Sequence, residues 1–297
     1  ILEEKLQIAS KHLIPKQLKV HGLKKSQFSL PKAVLREIID GYAREAGVRS
    51  LENNLKKIMR KLARKFVEDK IETVKIGKDD LPEMLGRKAF AEETRYKKPK
   101  VGVITGLAYT SLGGATLFIE ASFVESKTPG FKQTGQLGDV MIESTEIAYM
   151  YIRSKSSSNE TFKKFFKENF VHMHVPAGAT PKDGPSAGIT MACALYSLVF
   201  NETVIPNIAM TGELTLTGLV MPIGGVKEKT IAARRSGITQ IIFPEENKKD
   251  FDDLDKIITK GIKPHFVKSF EEILPICFPN LKGKKVKKKN KLILNAT

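Results

Sequence analysis

Apolar positions in the first ninety residues recur at helical spacing. Val34, Leu35, Ile38, Ile39, Tyr42 and Ala46 fall on one face at a period of 3.6 residues. Ser29-Leu30-Pro31 supplies a capping side chain and an early proline ahead of that helix, and Gly47 a stop after it. Ser50 is placed to cap a second helix, whose stripe is Leu51, Leu55, Ile58, Met59, Leu62 and Phe66 and whose other face is rich in Lys and Arg. Residues 1–90 read as a small all-α subdomain, and 91–100, AEETRYKKPK, as a linker.

Beyond residue 100 the period shortens. Val101–Thr105 and Thr116–Glu120 read as strands around a Gly113-Gly114 turn, Gly130–Gly138 as a loop and Met141–Ile152 as a helix. Arg153–Asn159 reads as a loop, Val171–Val175 alternates as a strand, and Ile189–Phe200 is an apolar helix. Ile208–Thr217 and Gly218–Ile223 read as paired strands, Gly225–Ser236 as a helix, Ile238–Phe243 as a strand and Lys248–Lys260 as a helix. Strands and helices mix without a strict βαβ repeat, so 101–280 is expected to be an α+β domain. Residues 281–297 are a Lys-rich tail, expected to be disordered.

A length of 297 residues suits about two domains. Hydrophobic residues at 41% and charged residues at 28% describe a globular chain rather than a disordered one. No apolar run reaches the ~18–20 residues of a membrane span. Two cysteines, Cys193 and Cys277, make neither a disulfide framework nor a zinc cluster. The net charge of +17 suggests nucleic acid, but it is unevenly spread: residues 1–100 carry +11, 281–297 carry +7, and 101–280 carry −1. Chemistry in the middle segment is therefore not run by a basic surface. The start, Ile1-Leu2-Glu3-Glu4, is already helix-like and has no initiator Met or targeting segment, which reads as a piece cut from a longer protein.

The candidate chemistry centres on Pro181-Lys182-Asp183-Gly184-Pro185-Ser186-Ala187-Gly188, a polar turn that runs straight into the apolar helix. Ser186 lies near that helix's first turn, where unpaired N–H groups can stabilise an oxyanion. The plain alternative is an N-cap, which is what a serine before a helix usually is. Gly-Pro-Ser-Ala-Gly also fits G-x-S-x-G, the nucleophile elbow of α/β-hydrolases, but an elbow follows its strand directly and here PAGATPKD intervenes. A hydroxyl nucleophile needs a base. One candidate is His265, with an acid among Asp250, Asp252, Asp253 and Asp255. A second is the pair His172 and His174, which share a strand face and form a possible metal pair without a third ligand; a structural role is the more common one for such a pair. The third is a lysine of Lys227-Glu228-Lys229, made neutral by burial. The two lysines lie ~200° apart on a helix, so at most one faces the serine, and periodicity leaves the choice open.

PKDGPSAG before a helix, MTGELTLTG, and MPIGGVKEK with its Ala-rich continuation resemble the proteolytic domain of Lon, the ATP-dependent AAA+ protease. TGQLGDVMIES at 134–144, VHMHVPAGATPKDGPSAG at 171–188 and FPEENKKDF at 243–251 extend the resemblance over essentially all of 101–280. EAGVRSLENNL at 45–55 resembles the helical lid of the Lon ATPase module. The resemblance implies an S16-type serine endopeptidase with a Ser–Lys dyad, in which Ser186 is the nucleophile and Lys229 the base. It implies that Thr211 orients the lysine, that Asp183 gates the site, and that Arg49 senses nucleotide phosphates. It further implies unfolded or damaged proteins as substrates and a homo-hexameric ring, with ATP and Mg used by the full-length enzyme and no cofactor or metal in this segment. DNA is a further partner that the basic segments suit.

No G-x-x-x-x-G-K-[ST] is present, so this chain is not expected to hydrolyse ATP itself. Tyr109 stands where the family commonly has tryptophan, and Ile142 where it commonly has lysine; neither bears on the dyad. Retention of both Ser186 and Lys229 argues against a Lon-like domain that has lost catalysis. Phrases such as GGVKEKTIAARRSG and ENKKDF are closest to mitochondrial-type Lon, which points to the mitochondrial matrix, with the bacterial cytoplasm as the alternative. Two other readings stand beside this one: an α/β-hydrolase using Ser186 and His265, and a basic nucleic-acid-binding module.

Overall fold

The computed structural model describes residues 2–45, 47–70, 72–89, 96, 98–110, 113–176 and 181–281. The tail from 282, most of the expected linker, and Ala46 of the first helical stripe lie outside the described residues. The chain divides into two compact units, one built from residues 1–95 and 109–115 and the other from 96–108 and 116 onward.

The first unit is helical. α1 (Leu2–Ile8) runs through a π-helical turn at Ala9–Leu13 into α2 (Ile14–Val20), followed by α3 (Lys32–Tyr42), α4 (Arg49–Glu68) and α5 (Leu81–Leu85). Leu35, Ile38, Leu51, Leu55, Ile58, Met59 and Leu62 are almost fully buried and form its core with Leu6, Leu13 and Leu81. Phe66, expected in the stripe, is only partly buried. The helix starts differ from the sequence expectation. Ser29 does not cap α3; it lies in β1 (Phe28–Ser29), which pairs in parallel with β2 (Val74–Lys75), and Pro31 is the N-cap residue. Among the described residues of 2–89 this two-residue pair is the only departure from an all-α region. Nor does Ser50 cap α4, which begins one residue earlier, at Arg49. The Glu45 carboxylate does so instead, accepting from Leu51 N at 3.0 Å. α3 ends at Tyr42, ahead of the expected Gly47 stop.

The second unit is an α+β domain built on a seven-stranded mixed sheet. Its elements are β3 (Val103–Thr110), β4 (Gly113–Glu125), β5 (Gly130–Thr134), α6 (Asp139–Ser154), α7 (Glu160–Glu168), β6 (Asn169–His174), α8 (Gly188–Phe200), β7 (Ile208–Met210), β8 (Glu213–Leu214), β9 (Val220–Met221), α9 (Val226–Arg235), β10 (Gln240–Pro244), α10 (Lys248–Asp252), α11 (Lys256–Thr259), β11 (Lys263–Val267) and α12 (Phe270–Cys277). The strand order is β11-β10-β7-β3-β4-β6-β5, and β8 and β9 form a separate antiparallel pair. Pairings β10–β11, β7–β10, β3–β7 and β5–β6 are parallel; β4–β6 is antiparallel.

Alternation along the strands sends side chains to two cores. Met210 and Ile242 join the larger core under α6, α7, α8 and α12, whereas Ala209, Ile241 and Phe243 join Val226, Ala233 and Phe251 of α9 and α10. α8 is apolar on nearly every side because every residue from Gly188 to Val199 except Tyr196 is buried. No described helix is long and apolar enough to cross a membrane.

Four local expectations are corrected. The expected loop 130–138 begins with β5, an edge strand with polar residues on both faces, which leaves no alternation to read. Residues 153–159 close as a 3-10 turn at Lys155–Ser157, and α7 follows. The Gly113-Gly114 pair opens β4 rather than forming a turn. Residues 248–260 break into α10 and α11 around Asp253–Asp255, where the α11 N-cap Asp255 is extended.

Candidate active site

Ser186 sits two residues before α8. The N-cap residue of α8 is Ala187 and no side chain caps it, so Ser186 is not an N-cap serine. Among the described residues no hydrogen bond holds its hydroxyl. Its carbonyl oxygen, by contrast, is gripped twice: Gly212 N donates to it at 2.8 Å and Thr211 Oγ1 at 3.2 Å. Gly188 N is bound to Pro185 O (3.1 Å) and Ile189 N to Gly212 O (3.2 Å). The short β7 ends at Met210 so that Thr211 and Gly212 can pass beneath the serine. A Cβ on Gly188 would stand 2.8 Å from Leu214 N, so this approach requires glycine there.

Lys229 comes from α9. Val226, Lys229, Thr230, Ala232 and Ala233 are its buried residues, whereas Lys227 is exposed, so of the two lysines Lys229 is the one turned inward. Lys229 is 2% exposed. Its Nζ donates to Thr211 Oγ1 at 3.0 Å, and Thr211 N is itself bound to Ile242 O of β10 at 3.1 Å. Burial away from water disfavours the ammonium and pulls the Lys229 pKa down to about 8. One hydroxyl, that of Thr211, thus accepts from the lysine and donates to the serine's carbonyl. The arrangement links the lysine amine, half neutral near pH 8, through Thr211 to the backbone of the serine beside the first turn of α8.

Asp183 is tied to α6. Its Oδ1 accepts from Met141 N at 3.0 Å, within the first turn of that helix, and from Gly184 N at 2.8 Å. Gly138 lies so close beneath the carboxylate that a Cβ would clash with it. Lys182, which the sequence reading passed over, completes the clamp. Its Nζ donates to Gly135 O at 2.6 Å, its N–H to Gln136 O at 3.0 Å, and its carbonyl accepts from Gly138 N at 2.7 Å.

Other candidates lie apart from this arrangement. His265 Nε2, on the edge strand β11, is bound to Gln240 Oε1 of the neighbouring β10 at 2.9 Å, and no hydrogen bond joins it to Ser186 among the described residues. Ser186 also lies twelve residues after β6 ends and has no left-handed φ, unlike the sharp strand-to-helix turn of an elbow. His172 Nε2 and His174 Nδ1 both meet Thr134 Oγ1, at 2.9 and 2.7 Å. No group of three His, Cys, Asp or Glu able to hold a metal occurs among the described residues. Cys193 and Cys277 are free and buried. Tyr109 is exposed and Ile142 half-buried. In the first unit, Arg49 is exposed at the first turn of α4 and makes no ion pair among the described residues.

The sequence profile of the Lon protease (S16) C-terminal proteolytic domain matches residues 75–280, and that of the Lon protease AAA+ ATPase lid domain matches 19–75. The chain belongs to the Lon protease family. It is 53% identical to Lon protease 1 of Syntrophotalea carbinolica and 52% identical to Lon protease 2 of Hydrogenovibrio crunogenus, each over 94% of this chain and 34% and 31% of the relative. It is 45% identical to the mitochondrial Lon protease homolog of Mus musculus over 94% of this chain and 30% of the relative. The chain therefore spans about a third of the length of the curated relatives it matches. Those relatives include bacterial and mitochondrial proteins. The second unit is thus a Lon-type, serine-peptidase proteolytic domain, and the helical region before it is the Lon lid.

Proposed function

We propose that Ser186 and Lys229 are the nucleophile and general base of this proteolytic domain. The observation that carries the reading is the burial of Lys229 against the Thr211 hydroxyl that also holds Ser186. Neutral Lys229 takes the Ser186 proton as Oγ attacks a peptide carbonyl. The ammonium then protonates the leaving amine, and the lysine activates the water that hydrolyses the acyl-enzyme. Gly188 N and Ile189 N are already committed to backbone carbonyls, which leaves the N–H groups of Ser186 and Ala187 to stabilise the oxyanion. Asp183 holds the serine loop on α6 and so is suited to gate it.

In the full-length protein the domain would serve an ATP-dependent endopeptidase acting on misfolded and regulatory proteins, within a homo-hexameric ring. Arg49 fits a nucleotide-sensing role, because an exposed guanidinium at a helix start, without an ion pair among the described residues, is suited to phosphate oxygens. ATP with Mg, hydrolysed by a P-loop module, would supply the work of unfolding. The mouse relative and the sequence phrases noted above support the mitochondrial matrix as the compartment; the bacterial relatives support the cytoplasmic alternative. DNA is proposed as an additional partner of the exposed Lys56, Lys57, Arg60, Lys61 and Arg64 on α4, with binding that weakens steeply as salt rises.

The test is covalent labelling with a peptide-like β-lactone, read by mass spectrometry, on wild type, Ser186→Ala and Lys229→Ala. An adduct on Ser186 is expected in wild type and in neither variant. Absence of the adduct from both this chain and the full-length ring with ATP would overturn the dyad.

A further inference from the structure

We propose that Tyr151, together with Glu271, is a positioning residue for Ser186 and Lys229 that acts through the β8–β9 hairpin. The proposal rests on the dyad reading above. The root of the hairpin touches both members of the pair: Gly212 N donates to Ser186 O at 2.8 Å, and Thr211 Oγ1 accepts from Lys229 Nζ at 3.0 Å. The hairpin has two residues in each strand, too few to hold its own place in water. Nor does it bury its tip, since Leu216 and Leu219 are 63% and 53% exposed. Its position comes from Leu214 and Val220, buried in the larger core, and from anchors at its two ends.

The distal anchor is a polar lock on α6 and α12. Gly218, with φ +89°, lies against the Tyr151 phenol, so closely that a Cβ there would stand 2.6 Å from the Tyr151 hydroxyl. Phe270 N donates to Gly218 O, and Val220 N to Lys268 O, each at 2.9 Å. Tyr151 is buried, and its hydroxyl donates to Glu271 Oε1 at 2.6 Å. Lys155 Nζ donates to the same oxygen at 2.7 Å while lying 4.5 Å from the centre of the Tyr151 ring. The turn between the anchors is internally braced: Thr215 N reaches Leu219 O, Gly218 N reaches Thr215 O, and Leu219 N reaches Thr215 Oγ1, all at 3.0 Å. The hairpin is therefore a braced strut. One end is bonded by the backbone to Lys268 and Phe270 and packed at Gly218 against Tyr151, which Glu271 holds; the other sets the serine carbonyl and the lysine's partner.

The test compares Tyr151→Phe, Glu271→Gln, Glu271→Ala and wild type in this chain. Phe166→Leu on α7 serves as a control for general loss of stability. Two quantities are read: kcat and KM on a fluorogenic peptide, and amide hydrogen exchange at Gly212. Tyr151→Phe and Glu271→Ala are expected to lower kcat about tenfold with KM within about twofold, and to speed Gly212 exchange at least tenfold. Glu271→Gln keeps an acceptor and is expected to retain at least half the activity. Phe166→Leu is expected to lower Tm without moving either quantity. Gly212 exchange unchanged in Tyr151→Phe would overturn the proposal, whether or not the isolated chain turns over peptide, and so would an unchanged kcat. Ser186→Ala and Lys229→Ala measured alongside separate the two readings. If they are inactive while Tyr151→Phe is unaffected, only the strut fails; if they remain active, the dyad itself fails.

Discussion

Lys229 and Ser186 are joined through a third side chain: Lys229 Nζ donates to Thr211 Oγ1 at 3.0 Å, and that hydroxyl donates to the Ser186 carbonyl oxygen at 3.2 Å. The amine is thus oriented by an oxygen that has spent its own proton elsewhere. Replacing Thr211 by Val keeps the shape but leaves the buried amine without an acceptor, at a cost of about 1–3 kcal/mol. Thr211→Val is expected to lower kcat for peptide cleavage at least tenfold, and Thr211→Ser to retain most of it. Equal rates in Thr211→Val and wild type would remove Thr211 from the site.

The pH dependence follows from burial of the same amine. Desolvation lowers the folded-state pKa of Lys229 to about 8, below its unfolded value near 10.4. Between those values the unfolded chain binds more protons, so stability rises with pH from about 8 to about 10.4. The charge-burial penalty, roughly 3 kcal/mol, is fully present below pH 8. Lys229→Met should therefore raise Tm at pH 7 and flatten its change between pH 8 and 10. Peptide cleavage by wild type should climb with pH and level off above about 8, as the neutral amine becomes the main form. A rate that falls across pH 7–8 would contradict the assignment of Lys229 as base.

Some of this site can be read from the sequence because its signal is local. Ser186 stands out as a polar Gly/Pro turn meets a helix that is apolar on every side. Lys229 is harder. Its buried face is written in Val226, Thr230 and Ala233, three, one and four residues away, but a Lys-Glu-Lys run looks like a solvated surface until the helix is seen packed on β10. The remaining contacts join positions that no periodicity links. Asp183 caps a helix 42 residues earlier, Glu45 caps α4 six residues ahead of its partner Leu51, and Tyr151 meets Glu271 across 120 residues. Periodicity reports which face is buried, not which remote polar group satisfies an open helix end. β5 failed for a related reason: an edge strand of five residues whose one large apolar side chain is Phe131 carries no alternation to read.

Glu45 makes a prediction confined to the first unit. Its carboxylate accepts from Leu51 N at 3.0 Å; burial pushes its pKa up, but the hydrogen bonds from the Ser50 and Leu51 backbone and the Ser50 side chain, with the Lys5 charge, leave it lowered. Glu45→Ala leaves the α4 start uncapped and should cost about 1 kcal/mol. Glu45→Gln keeps an acceptor and should cost less. Urea unfolding followed by circular dichroism measures both; a Glu45→Ala midpoint equal to wild type would show the cap to be idle.

Gly188 sets how closely the nucleophile's helix can approach the hairpin. A methyl group there meets Leu214 N at 2.8 Å and Leu214 Cβ at 3.0 Å, and a backbone neighbour cannot swing away as a side-chain end could. Gly188→Ala must therefore push β8 from α8 or lift α8 from the sheet, at about 1–3 kcal/mol for overpacking. Either movement stretches the Gly212–Ser186 bond. The expected result is a lower Tm, together with a β-lactone labelling rate at Ser186 reduced at least tenfold. Ala→Gly at the neighbouring Ala187 adds no bulk and should spare most of the labelling. If Gly188→Ala labels at the wild-type rate, the spacing between α8 and the hairpin does not control the serine.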